Sequence, residues 1–185
     1  MSSLSPQQTA DLTKFFRLTI GSEMSQVEVD EAIEYVSSIS TDPEYSYVFE
    51  HFSKPAEITA MLRTSAVANW LDDEGLLVKS DKTDEFHEQI CDLFDESLPP
   101  FSTWWDSSVD RTSADYYDWL DKVVSELGDK EHGGYELLSL NAEGDDNQRA
   151  IAVERNDTER IIRLGRALSI QIDRLKTPSE LWWWR

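Results

Sequence analysis

Tyr135-Glu-Leu-Leu-Ser-Leu140 and Arg149-Ala-Ile-Ala-Val-Glu154 are two apolar-rich runs separated by a polar stretch, Asn141-Ala-Glu-Gly-Asp-Asp-Asn-Gln148. Two such runs around a cluster of turn formers predict a β-hairpin with a long loop. Asn156-x-x-Glu159 then has the form of a helix cap, and Ile161, Ile162, Leu164, Leu168, Ile172 and Leu175 follow at helical spacing. One long helix is expected to run through Leu175. A two-stranded hairpin is barely stable alone and needs another strand or a packed helix. Leu76-Leu77-Val78, just after Gly75, is the candidate third strand, so the antiparallel sheet has two strands, or three if this run joins its edge.

Upstream, the signals are helical. Ser5-Pro6-x-Gln8 combines a cap, a first-turn proline and a capping-box residue ahead of Leu12, Phe15, Phe16 and Ile20, with Gly21 as the stop. Ser25-x-x-Glu28 opens a second helix whose inner face is Val29, Ala32, Ile33 and Val36. Asp42-Pro43 starts a short third, and Pro55 a fourth with Ile58, Met61, Leu62 and Leu71 inward. Gly75 terminates that helix, with Leu76 folding back on its last turn. Thr83 caps a fifth bearing Phe86, Ile90, Leu93 and Phe94. Thr112-x-x-Asp115 opens a sixth with Tyr116, Leu120, Val123, Val124 and Leu127, closed by Gly128. The fold class is therefore α+β: mostly helical, with a small antiparallel hairpin near the C-terminus followed by a long helix. The 185 residues read as one domain, with a helical part over about 1–131 and a hairpin-plus-helix part over about 132–185.

Charge bounds the function. The chain has 37 Asp and Glu against 17 Lys and Arg, a formal net charge of −20. It also carries seven Trp, seven Phe and six Tyr, more aromatic surface than an acidic disordered chain offers. A folded, strongly negative surface repels nucleic acid and anionic lipid and attracts basic partners. The charge is dipolar: residues 81–131 carry 15 acids and four bases (net −11), whereas residues 149–176 carry four acids and seven bases (net +3). Docking of that basic segment on the acidic middle would relieve self-repulsion. One cysteine, Cys91, excludes an intrachain disulfide. No basic-then-apolar leader and no long apolar run are seen, so the expected location is the cytoplasm, with no membrane span.

Catalytic patterns fail one by one. His87 and Cys91 stand at i, i+4, but a structural zinc site needs two more ligands, and His51 and His132 are remote in sequence. Glu88, Asp92, Asp95 and Glu96 surround Cys91, which disfavours a thiolate nucleophile. The expectation there is a buried Cys91 and a half-exposed His87. The Glu143-to-Asn147 tip lacks the ligand spacing of a calcium loop. No metal and no cofactor is expected. Ser65 to Val78 has the rhythm of a winged helix, yet only Arg63 and Lys79 oppose Asp72, Asp73 and Glu74, so direct DNA reading is not expected.

The strongest functional pattern is aromatic and acidic. Pro99-Pro-Phe-Ser-Thr-Trp104-Trp105-Asp106-Ser-Ser-Val-Asp110 leads into Asp115-Tyr116-Tyr117-Asp118-Trp119. Rigid rings give anchors, and neighbouring carboxylates pair with a partner's Lys and Arg. The candidate partner-binding residues are Trp104, Trp105, Asp106, Asp110, Asp115, Tyr116 and Asp118. In Trp182-Trp183-Trp184-Arg185 three consecutive rings cannot all face one way, so at least one is expected at a surface.

The run from Tyr116-Tyr117-Asp118-Trp119-Leu120 through Gly134-Tyr135, Gly144-Asp145-Asp146, Ala150-to-Val153 and Glu159-to-Leu175 resembles small acidic bacterial proteins of toxin–immunity loci. The resemblance covers the C-terminal third. It implies a cytoplasmic immunity protein that blocks a basic cognate toxin, such as a nuclease. Two other classes compete: a nucleic-acid mimic occupying a DNA-binding protein, and an enzyme with an unrecognised carboxylate site.

Overall fold

The computed structural model describes residues 4–21, 24–39, 54–94, 98–101, 113–128, 133–140 and 147–175. The helix expected at Asp42-Pro43, the hairpin tip, Trp104, Trp105, Asp106, Asp110 and the terminal tryptophans lie outside these residues.

The N-terminal caps form as the side-chain chemistry dictates. In α1 (Pro6–Ile20) the Ser5 hydroxyl accepts from the Gln8 amide at 3.2 Å, and the Gln8 side chain accepts from the Ser5 amide at 3.0 Å. Ser25 and Glu28 repeat this at the start of α2 (Gln26–Ser38), at 3.3 and 2.7 Å. Helix α3 (Pro55–Asp73) ends at Gly75, where the Leu76 amide donates back to the Leu71 carbonyl at 2.8 Å and the Leu76 side chain packs on the core. Strand β1 (Val78–Ser80) follows, then α4 (Thr83–Leu93) and α5 (Ser113–Ser125). Thr83 is the first helical residue of α4 and not its cap; Lys82 holds the cap position without a side-chain capping bond.

The hairpin is β2 (Tyr135–Leu140) against β3 (Gln148–Glu154), with Leu138 opposite Ile151. The expected edge strand forms two residues later than read: Val78 pairs with Ala150 and Ser80 with Gln148. The long final helix is corrected. A short 3-10 turn (Arg155–Asp157) contains Asn156, and α6 spans only Thr158–Leu168. Ser169 then turns left-handed (φ 59°, ψ 36°), and Ile172–Arg174 becomes β4, paired with β2. Gly165 permits this fold-back, because a Cβ there would stand 2.3 Å from Ile172 Cγ2. The sheet is antiparallel and four-stranded, in the order β1-β3-β2-β4.

Helices cover both faces of this sheet. One face, built from Leu138, Leu140, Ile151, Val153 and Ile172, packs with α1, α2, α3 and α6. The other, with Val78, Leu137 and Ala150, packs with α4 and α5. This explains the near-continuous apolar character of β2. Strands that lose water on both sides do not alternate cleanly. The sheet draws β1 from the helical part and the other strands from the C-terminal part. Among the described residues no helix is long and apolar enough to cross a membrane.

Candidate binding surface

Helices α4 and α5 form the layer that holds the candidate residues. Phe86 and Ile90 of α4, with Tyr116, Leu120 and Val124 of α5, are fully buried against the sheet. Between the helices lies His87, at 0% exposure. Its Nε2 is 2.9 Å from the Pro99 carbonyl and its Nδ1 is 3.1 Å from the Tyr116 hydroxyl. A carbonyl only accepts, so Nε2 carries the proton and Nδ1 accepts from the tyrosine O–H. The rings of Phe101 and Trp119 close around the imidazole at 5.7 and 5.6 Å. Burial holds the His87 pKa below the ordinary imidazole value, against the opposing pull of Pro99 and Glu88. Burial likewise drives the Tyr116 hydroxyl far above the usual phenol range. The pair is a neutral hydrogen-bonded strut.

Two expectations are corrected here. Tyr116 is a core residue at 0% exposure, so it anchors the layer from within and presents nothing to a partner. The same aromatic character that suggests a hot spot also suits a packed core. His87 and Cys91 exchange roles: the histidine is buried and the cysteine is partly exposed. Among the described residues no group of three His, Cys, Asp or Glu could hold a metal ion.

The outer faces are acidic. Asp84, Glu85, Glu88 and Asp92 on α4 are exposed, as are Asp115, Asp118 and Asp121 on α5. Lys122 is the only base within the two helices. Glu85 pairs with Lys82, and Asp121 pairs with Arg155 at 2.7 Å. That last bond ties the basic segment to the acidic middle, as the charge pattern suggests. Arg174, in contrast, meets Glu136 of β2 at 2.8 Å and Glu159 of its own segment at 2.7 Å. Asp115 and Asp118 are exposed on α5, which shares a core with α4 on the same sheet face.

Arg63 is one of the two bases beside the stretch with winged-helix rhythm. It donates to the Leu168 carbonyl at 2.7 Å and caps α6. No family model, curated protein or solved structure matches this chain.

Proposed function

We propose that this is a non-enzymatic binding protein whose α4–α5 surface grips a cationic protein. The observation that carries the reading is the carboxylate array on the outer faces of two adjacent helices, fixed to each other by the buried His87–Tyr116 strut. Carboxylates on rigid helices lose little freedom on binding, and like-signed arrays steer oppositely charged partners. The proposed surface includes Trp104, Trp105, Asp106 and Asp110, which the sequence places between Phe101 and Ser113. In the finer reading the protein works in the cytoplasm as an immunity protein, and the partner is a basic toxin such as a nuclease. The net charge of −20 and the C-terminal resemblance support that step.

The test is affinity capture by wild type and by the E88K/D115K/D118K variant from the same extract. Wild type captures a cationic protein that the variant loses. Equal capture by both removes this surface from the account. Displacement of the captured protein by duplex DNA would identify a nucleic-acid mimic.

A further inference from the structure

The opposite layer carries a second charge pattern. Helix α6 exposes Arg160, Arg163 and Arg166, three residues apart; Asp157, just before the helix, pairs with Arg160 at 2.6 Å, and Glu159 is held by Arg174. Helix α2 exposes Glu28, Glu31 and Glu34 at the same spacing, with Asp30 beside them and no base in the helix. Residues at i, i+3 and i+6 lie along one side of a helix, so each helix presents a stripe of one sign. Both helices pack against α1, which lies between them on the same sheet face. The outer surface therefore runs from basic through near-neutral to acidic. Val27 of α2, at 65% exposure, is the one exposed large apolar side chain among the described residues.

We infer that this layer is a self-association surface whose occupant is a second copy of the chain. A two-fold axis through α1 sets the α6 stripe of each protomer against the α2 stripe of its partner. A two-fold contact must be self-complementary, and a surface with opposite signs on either side of a neutral centre meets that condition. Charge complementarity selects the second copy over an unrelated acidic partner, because both halves of the contact are present in one molecule. The net charge of −20 opposes approach at long range. Association should therefore be strongest near about 0.15 M salt, where the screening length is about 8 Å, and weaker at much lower or much higher salt.

Sedimentation equilibrium of the full chain over a concentration series tests this. Wild type gives a concentration-dependent dimer. R163E/R166E, which places acid against acid, weakens the dimer about tenfold or more. E31K/E34K, which places base against base, does the same. An equimolar mixture of the two variants restores a dimer, because every stripe then faces the opposite sign. A wild type that stays monomeric overturns the inference. So does a dimer that either variant leaves intact, or a mixture that stays dissociated. Circular dichroism identical to wild type shows that the variants are folded.

Discussion

Arg63 on α3 donates to the carbonyl oxygen of Leu168, 2.7 Å away and 105 positions along the chain. The next residue of α3, Thr64, accepts from the Gln171 amide at 2.8 Å while its hydroxyl donates to the Ala60 carbonyl. Two consecutive side chains thus hold the turn that converts α6 into β4. Removing the guanidinium leaves a partly buried carbonyl unpaired. R63A should lower unfolding free energy by about 1–2 kcal/mol in urea titration, with R63K recovering part of it. An unchanged midpoint would show that the turn holds without the arginine.

Ser169 sits in the left-handed region at φ 59°, which glycine adopts at no steric cost. The Ile170 amide still donates to the Gly165 carbonyl at 2.8 Å, so the stop is well made despite the side chain. S169G should raise stability by about 1 kcal/mol. A loss on substitution would mean that the serine side chain contributes more than the strain removes.

Gly134 enters β2 at φ +78°, and a Cβ there would stand 2.0 Å from the Ser125 carbonyl oxygen. That oxygen belongs to the backbone at the end of α5 and cannot swing aside. G134A should cost at least about 3 kcal/mol, through strain and displacement of the helix together. Thermal unfolding measures it, and a near-native midpoint would contradict the close approach.

His87 makes stability fall on acidification. Its folded pKa lies below the ordinary imidazole value of 6.5, because burial disfavours the charged ring. The unfolded chain therefore takes up the proton first. The stabilisation is complete above pH 6.5 and is lost as pH falls through that value toward the folded pKa. Glu28 and Glu159, lowered from 4.5 by the Ser25 cap and by Arg174 respectively, lose their contributions below that second value. In H87Q the slope of stability between about pH 6.5 and 5 should flatten. Identical slopes in both proteins would show that His87 does not titrate on unfolding.

The sequence exposes what is local. Ser5, Ser25, Pro55 and Gly75 act on backbone groups a few residues away, and their helices begin or end where those residues stand. The hairpin is equally local in its pattern. What is not local stays hidden. Ile172 continues the helical spacing of α6, and only a serine, without glycine or proline, marks the break. Side-chain bonds that hold the turn come from Arg63 and Thr64, over a hundred residues upstream. Tyr116 has the composition of a binding anchor, yet it is buried, with its hydroxyl bonded to His87, 29 positions earlier. The acidic surface was half readable: charge counts placed it in the middle of the chain, but the adjacency of α4 and α5 needs the sheet beneath them.

The central claim is that carboxylates on α4 and α5 bind a cationic protein. Calorimetric titration of the captured partner into wild type and into E88K/D118K, from about 0.05 to about 0.5 M salt, tests it most directly. The predicted result is a Kd that weakens steadily with salt in wild type and is at least about tenfold weaker in the variant at low salt. A Kd indifferent to salt, or equal in the two proteins, would contradict it.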